Sequence, residues 1–233
     1  MNIQLTDTGK RFNRDWIFRH FTFNFQSSNS YAITGPNGSG KSTLLQCIAG
    51  STNLSEGEIS YFSLVISSVA GNLQSPQSDF SSASQPRNNE QIQEENIHRQ
   101  IAIVAPYLEL IEEMTANEFL KFHFSFKKII PGISFSQILT EIGLEKAAGK
   151  QIRYFSSGMK QRLKLAQAVF ANVPVILLDE PCTNLDKNGY DLYHRLIQKY
   201  CTQKLIIVSS NDVNEYDFCK ERISILDYKL QSV

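Results

Sequence analysis

A glycine-rich stretch, GPNGSGKST at residues 35–43, has the residue types and spacing of a phosphate-binding loop. Its glycines allow the backbone to turn N–H groups toward phosphate oxygens, and the helix predicted to follow adds a positive field. Lys41, a candidate catalytic residue, can reach the β and γ phosphates, and the Ser42 hydroxyl can ligate Mg²⁺. The stretch predicts a site for ATP and Mg²⁺ whose nucleotide-binding residues are Gly35, Pro36, Asn37, Gly38, Ser39, Gly40, Lys41, Ser42 and Thr43.

A second candidate is an acidic pair in the apolar run VILLDEP, residues 175–181. The run puts Asp179 at the C-terminal end of a buried strand, where parallel sheets bind ligands, and we expect it to hold the magnesium, usually through water. Glu180 is a candidate catalytic residue, because a carboxylate can orient and deprotonate the water that attacks a γ-phosphoryl group. Two acids at a strand end are common in proteins. Together with a phosphate-binding loop, they indicate nucleotide hydrolysis.

The pattern of apolar residues predicts the elements that position these groups. Short apolar runs such as IAIVA (101–105) and LIIVS (205–209) are typical of buried strands, and they alternate with helical patterns. This order predicts an α/β fold with a mainly parallel core sheet. Because of its phosphate-binding loop, the chain also resembles the P-loop NTPases, which implies that the core sheet is RecA-like. Residues 16–34 alternate apolar and polar positions, which predicts antiparallel strands. Helices are predicted from residue 41 to a cap at Gly50 and over 115–128, about 134–148 and 159–170.

Composition limits the possible classes of protein. The 233 residues are 42% hydrophobic and carry 23 basic and 23 acidic side chains, so we expect one compact unit over 1–233 and no nucleic-acid partner. No apolar run approaches the roughly 20 residues of a membrane span, and the N-terminus lacks a signal-peptide core, so the cytosol is the expected compartment. Four cysteines without paired spacing are expected to be reduced packing residues.

One segment departs in composition from the rest of the chain. Residues of about 63–96 are rich in Ser, Asn and Gln and poor in large apolar side chains. This composition predicts a polar surface insertion that is mobile over part of its length. An ordinary long loop without a function is the competing interpretation.

Further motifs resemble those of the ATP-binding cassette (ABC) ATPases. FSSGM (155–159), which precedes a predicted helix and the acidic strand, is similar to the LSGGQ signature of that family. CTNLD (182–186) resembles its D-loop, and EGEI (56–59) its early antiparallel sheet. Phe12 stands at the usual distance before the phosphate-binding loop for the aromatic residue that stacks on adenine. The resemblance covers the chain outside the 63–96 segment.

The resemblance implies a fold and an assembly. It implies an antiparallel β subdomain and a small helical subdomain, which with the signature region would occupy about 107–158. It also implies a head-to-tail homodimer in which Ser156 and Gly158 of one copy face the γ-phosphate bound by the other. Free N–H groups and a hydroxyl at a helix start are a suitable anion site. A plain N-cap is the alternative for Ser156.

Three positions depart from the family pattern. Ser157 replaces a signature glycine, which is tolerable if its φ is negative. The Q-loop glutamine is replaced by Pro106, or by Tyr107 if the register shifts by one residue. Asn211 stands at the switch histidine, where it is a candidate catalytic residue that can donate a hydrogen bond but cannot carry a proton. Slow hydrolysis or binding without hydrolysis could follow, and the presence of Lys41, Ser42, Asp179 and Glu180 favours slow hydrolysis.

The resemblance implies an ATP-hydrolysing subunit of an ABC transporter. Because the chain has no membrane span, an integral membrane permease would be a separate subunit, and the chain would be cytoplasmic and peripheral on the inner face of the cell membrane. An exporter is favoured over an importer. The aromatic stretch Phe119–Phe126 could dock the permease or lie in the core. The alternative function is a soluble ATP-gated switch that acts on a cell-envelope or regulatory partner.

Overall fold

The structure, a computed structural model, describes residues 1–64, 89–92 and 94–229. Its strands are β1 (Asn2–Phe12), β2 (Asp15–Phe25), β3 (Ser30–Thr34), β4 (Glu56–Leu64), β5 (Asn89–Gln91), β6 (Ile101–Val104), β7 (Val175–Asp179), β8 (Leu205–Ser209) and β9 (Glu221–Ser224). Its α-helices are α1 (Lys41–Ile48), α2 (Ala116–Phe126), α3 (Phe135–Glu141), α4 (Ser157–Val169) and α5 (Lys187–Tyr200).

The strands form two sheets of different kinds. An antiparallel sheet has the order β2-β1-β4-β5, and a parallel sheet has the order β6-β7-β8-β3-β9. Every residue of β7 and β8 is buried, as expected for parallel strands covered on both faces. These sheets confirm the predicted α/β class with a mainly parallel core.

The register of the parallel sheet brings three strand ends to one level. Asp179, the last residue of β7, pairs with Ser209, the last residue of β8. Ser209 also pairs with Ile33, which is one residue before the end of β3. Since all three strands run in the same direction, the segments that follow them leave the sheet at the same edge. These segments are the glycine-rich loop, the acidic pair and the stretch that contains Asn211.

The helices begin at residues that cap them. Thr115 and Glu118 form a reciprocal capping box at the start of α2, and Ser134 and Gln137 form another at the start of α3. Helix α3 is shorter than the predicted 134–148. Gly143 follows it with a φ of 66°, a left-handed conformation that ends the helix, and a short 3₁₀ helix then covers Glu145–Ala147.

The polar segment predicted over 63–96 is described only at its ends. Residues 65–88 and 93 lie outside the described part of the chain, so the predicted mobility is not described. At the near end, β4 continues to Leu64 and pairs with β5. At the far end, a 3₁₀ helix spans Glu94–Arg99, and its Ile97 is buried. Both ends of the predicted 63–96 segment therefore belong to strands or to a 3₁₀ helix.

Two other sequence expectations concern packing and membranes. The four cysteines are unpaired and buried, as predicted. Among the described helices, none is both long enough and apolar enough to cross a bilayer.

The aromatic stretch of α2 is divided between the core and the surface. The Phe119 side chain is 5% exposed and lies in the core that joins α2, α4 and the parallel sheet. Phe122 is 42% exposed and Phe126 is 72% exposed, and their rings meet edge to face with centroids 5.1 Å apart. The stretch therefore supplies both core packing and an exposed aromatic pair.

This division predicts different costs for two otherwise identical truncations. Phe119→Ala leaves a cavity in the core and should lower the free energy of unfolding by about 3–5 kcal/mol. Phe126→Ala removes a mostly exposed ring and should change it by only about 0.5 kcal/mol. Urea denaturation of both variants measures the difference. Equal losses would show that the two rings share one environment.

Candidate functional site

The glycine-rich loop joins β3 to α1 and forms one wall of a cleft of about 200 Å³. The Lys41 ammonium donates hydrogen bonds to the carbonyl oxygens of Gly35 at 2.8 Å and Pro36 at 3.1 Å, and the side chain is buried. The loop thus holds a positive charge at its inner side. The residues that line the cleft are Ile17, Asn37, Gly38, Ser39, Gly40, Lys41, Ser42, Thr43 and Glu180.

Three glycines of this loop, Gly35, Gly38 and Gly40, have a positive φ that would strain an L-residue, and the last two show two different reasons for glycine. Gly40 has a φ of 102°, and a Cβ built on it would lie 2.3 Å from Cγ2 of Ile17. Gly38 has a φ of 75°, but a Cβ there would meet nothing within 4 Å. Gly40 is therefore required by both backbone conformation and space, whereas Gly38 is required by conformation alone.

A buried hydroxyl in the loop fits a phosphate ligand. Ser39 is 3% exposed, and its Oγ has no hydrogen-bond partner in the described part of the chain. A buried polar atom without a partner is costly, so such atoms often mark a ligand contact. The Ser39 hydroxyl, the Lys41 ammonium and the N-terminus of α1 are all groups that attract an anion. The loop therefore suits a nucleotide phosphate.

The acidic pair lies at the end of β7. Asp179 is 2% exposed and accepts a hydrogen bond from the Ser209 hydroxyl at 2.7 Å. Glu180 has a φ of 44°, a left-handed conformation that costs a non-glycine residue about 1–3 kcal/mol. Its N–H donates to the Ser209 carbonyl at 2.9 Å, and its own carbonyl accepts from the N–H and the hydroxyl of Thr183. These bonds hold Glu180 in the turn from which it lines the cleft.

The residues predicted to hold Mg²⁺ fit that ion's preferences. Ser42 lines the cleft at the start of α1, and Asp179 ends strand β7 at the same edge of the sheet. In the described ranges, no group of three or more His, Cys, Asp or Glu side chains could hold a metal by itself. Magnesium needs few protein ligands, because it keeps waters and takes oxygens from substrate phosphates. A hydroxyl and one carboxylate beside a phosphate loop are therefore a suitable ligand set for Mg²⁺.

The switch position lies against the phosphate loop. The Asn211 amide donates a hydrogen bond to Oδ1 of Asn37 at 3.1 Å, although the two residues are far apart in sequence. This contact joins the segment after β8 to the loop after β3. An amide in this place can donate a hydrogen bond to a γ-phosphate, but it cannot carry a proton.

Pro106 and Tyr107, the two candidates for the position of the Q-loop glutamine, make different contacts. Pro106 offers its carbonyl oxygen, which accepts from the Lys164 ammonium at 3.1 Å. The Tyr107 side chain is 46% exposed and lies near Gln46 and Asp179; partial burial and the charge of Asp179 raise the pKa of its phenol, and Gln46 acts against them. Tyr107 is therefore the candidate whose side chain lies near the acidic end of β7, and which of the two residues takes the Q-loop position stays a prediction.

The signature residues lie outside the cleft. Ser156 is the N-cap of α4, and its hydroxyl accepts a hydrogen bond from the Met159 N–H at 3.3 Å. Ser157 is the first residue of the helix, so its backbone has the negative φ that tolerates a side chain. A Cβ on Gly158 would lie 3.3 Å from the carbonyl oxygen of Asn184, so the helix start packs closely against the D-loop segment. Within one chain, Ser156 is the N-cap of α4. Its contact with the γ-phosphate bound by a second copy stays a prediction.

Phe12 lies apart from the cleft. It is the last residue of β1, is 49% exposed, and its ring centroid lies 4.9 Å from the Lys10 ammonium. The residue of the antiparallel sheet that lines the cleft is Ile17 of β2. Stacking of Phe12 on adenine therefore stays a prediction.

The sequence did not indicate several residues that support the site. Gln161 of α4 is buried and donates to the Pro181 carbonyl at 2.6 Å. Gln46 contacts Tyr107, and Glu215 binds the backbone just beyond Glu180. The position of Gln161 on the apolar face of a predicted helix could have indicated a buried polar contact. Nothing in the sequence near Glu215 or Ile17 indicates that these residues support the site.

Steric crowding at Gly40 gives a direct test of the loop. Gly40→Ala should weaken ATP binding by about tenfold or more, because the loop must leave its phosphate-binding conformation to relieve the clash with Ile17. Gly149→Ala is the control, since a Cβ there meets nothing and the residue is exposed. Titration with a fluorescent ATP analogue measures both variants. Unchanged binding by Gly40→Ala would contradict the assigned loop geometry.

Comparison with known proteins identifies the family. The model of the family described as ABC transporter matches residues 18–183. An uncharacterised ABC transporter ATP-binding protein, YybJ of Bacillus subtilis (strain 168), is 25% identical over 90% of this chain and 85% of its own length. The linearmycin resistance ATP-binding protein LnrL of the same organism is 25% identical over 97% of this chain and 66% of its own.

A solved structure agrees with the fold. The dimeric, post-hydrolysis structure of the ATP-binding cassette MJ0796, bound to ADP and Pi, has a TM-score of 0.74 at 21% identity and covers 99% of this chain and 97% of its own. At that identity the likeness shows the fold alone. The family match covers most of the chain and includes both the phosphate loop and the acidic pair. The chain therefore belongs to the ABC transporter family, among its ATP-binding proteins.

Proposed function

We propose that this chain is the ATP-hydrolysing subunit of an ABC exporter and acts together with a separate integral membrane permease. One observation carries the hydrolytic part of the proposal: Glu180 lines the same cleft as Lys41 and Ser42. A carboxylate that faces a phosphate-binding loop can orient and activate water, which a site for binding alone does not need.

Each residue of the cleft would have a distinct task in hydrolysis. The Lys41 ammonium exchanges the carbonyls of Gly35 and Pro36 for the β and γ phosphate oxygens. Ser42 and Asp179 would hold Mg²⁺, which neutralises phosphate charge when bound. Glu180 accepts a proton from the attacking water. This arrangement stabilises charge mainly by position, as phosphoryl transfer requires.

The switch segment affects the rate rather than the binding of ATP. Asn211 already lies within hydrogen-bond distance of the loop through Asn37, so a short side-chain movement brings its amide to a γ-phosphate. It cannot take up a proton, so Glu180 is the base in this proposal. Hydrolysis is therefore slow but real, in preference to a site that only binds ATP.

The signature helix supports a homodimer. Ser156 and Gly158 lie at the exposed start of α4, outside the cleft of their own chain. The helix start offers N–H groups to an anion, and the Ser156 hydroxyl can exchange its bond to Met159 for a phosphate oxygen. We propose that each copy contributes these groups to the nucleotide of the other. The chain then works as one ATPase unit over 1–233, with the helical subdomain and signature region at about 107–158.

The exposed aromatic pair supports a docked membrane subunit. Phe122 and Phe126 present apolar rings on α2 that the rest of the described chain leaves uncovered. A helix of a permease that packs against these rings would hold the chain at the inner face of the cell membrane. The name of the relative LnrL records resistance to linearmycin, which fits the removal of a compound and therefore favours export.

Hydrolysis is tested by a conservative change at the proposed base. Glu180→Gln keeps the size of the side chain but cannot accept the proton, so turnover of ATP should fall by roughly 100-fold or more. Affinity for ATP should stay within about twofold of the parent. A steady-state phosphate-release assay measures turnover, with the exposed Glu145→Gln as the matched control. A Glu180→Gln chain as active as the parent would remove Glu180 from this role.

Docking is tested by making the aromatic pair polar. The double change Phe122→Ser and Phe126→Ser should abolish co-purification of the chain with a polytopic membrane protein from detergent-solubilised membranes, because the apolar contact is lost. Leu226→Ser, a change at another exposed apolar residue, should leave co-purification intact. Recovery of the parent chain only in the soluble fraction, without a membrane companion, would contradict the permease and favour a soluble ATP-gated switch.

A further inference from the structure

A buried carboxyl group next to the site has no task in the proposed hydrolysis. Glu215 ends a short 3₁₀ helix, Val213–Glu215, which follows the switch segment, and it is 3% exposed. Its Oε1 accepts a hydrogen bond from the N–H of Cys182 at 2.7 Å. Its backbone carbonyl accepts another from the Tyr193 hydroxyl at 2.8 Å. The residue is thus fixed at two points, one of which is the chain just beyond Glu180.

The bond to Cys182 completes a series of contacts along the turn after β7. The Glu180 N–H is held by the Ser209 carbonyl of β8, and the Pro181 carbonyl is held by Gln161 of α4. The Cys182 N–H is held by Glu215. Three consecutive residues are therefore fixed by three different elements of the fold.

The strain at Glu180 explains why such contacts are needed. A left-handed φ is unfavourable for a glutamate, so it persists only where contacts with neighbouring residues hold the backbone in place. Without the acceptor on Glu215, the buried N–H of Cys182 would lose its partner and the turn could relax. The Glu180 carboxylate would then leave its place opposite the phosphate loop.

We propose that Glu215 is a positioning residue for Glu180, because it accepts the Cys182 N–H and so holds the turn that presents the catalytic carboxylate to the cleft. The effect on turnover rests on the proposed ATPase function. The mechanical part, that Glu215 holds the turn, does not depend on it.

The surroundings of Glu215 indicate which replacement should keep this role. Burial raises the pKa of Glu215 to about 7. The charges of Asp212 and Glu180 act in the same direction, and the hydrogen bond from the Cys182 N–H acts against them. The other facing groups are the Cys182 thiol and the phenols of Tyr190 and Tyr193 on α5. The carboxyl is therefore not a fixed charge near neutral pH. A neutral amide can offer the same acceptor to Cys182, so Glu215→Gln should preserve the contact, whereas Glu215→Ala removes it.

Cysteine labelling makes the contact directly observable. The chain has four cysteines, so ¹⁵N-cysteine labelling yields at most four backbone amide signals, and Cys47, Cys201 and Cys219 are internal controls for Cys182. In the nucleotide-free chain, Glu215→Ala should speed hydrogen exchange of the Cys182 amide by about tenfold or more, with the other three little changed. Glu215→Gln should leave Cys182 protected. Tyr193→Phe, which removes the other hydrogen bond to Glu215, should also leave it protected.

Turnover provides the functional readout. Glu215→Ala should lower kcat for ATP by roughly 10- to 100-fold while KM stays within about twofold, since only the catalytic carboxylate is displaced. Glu215→Gln should restore the parent kcat. Unchanged Cys182 exchange in Glu215→Ala, or a Glu215→Gln chain as impaired as Glu215→Ala, would overturn the proposal. A parent chain without turnover would count against the proposed function alone, because the exchange measurement still decides whether Glu215 holds the turn.

Discussion

The register between β3, β7 and β8 is the constraint on which the site depends. Asp179, Ser209 and Ile33 lie side by side in adjacent parallel strands, so three segments that are distant in sequence leave the sheet at one edge. A shift of one residue in this pairing would turn Asp179 to the opposite face of the sheet and separate it from the phosphate loop. The full burial of β7 and β8 opposes such a shift. A shifted strand would place each of its apolar side chains on the other face of the sheet, where the packing was formed by different residues. Packing energy and catalytic geometry are thus fixed by the same contacts.

The site carries local strain that the surrounding fold compensates. Glu180 and Gly40 both have left-handed backbones, and both line the cleft. Gly40 has this conformation at little cost, whereas Glu180 is held by a hydrogen bond to Ser209 of β8 and by hydrogen bonds from Thr183 within the turn. Gln161 and Glu215 extend that support to the next two residues. Through Gln161, the helix that bears the signature residues is tied to the turn that bears the proposed base. A movement of α4 against a second copy would therefore reach Glu180 through one hydrogen bond.

Motifs with local chemistry could be predicted from the sequence. The phosphate loop and the strand before the acidic pair depend on residues close together in the chain, and the start of α2 follows from the capping chemistry of Thr115. Contacts between distant residues could not be predicted in this way. Ile17 reaches the loop from another sheet, and Glu215 meets Cys182 across a gap of 33 residues. The proximity of Tyr107 to Gln46 of α1 likewise follows from no spacing in the sequence.

The central claim is that one ATP contacts the phosphate loop of one copy and the signature helix of another. A crystal structure of the Glu180→Gln chain with ATP and Mg²⁺ measures this most directly. The account predicts a γ-phosphate between the Lys41 ammonium of one copy and the Ser156 hydroxyl of its partner, with Asp179 beside the metal. A nucleotide bound in the loop of a chain whose Ser156 and Gly158 touch no phosphate of a second copy would contradict it.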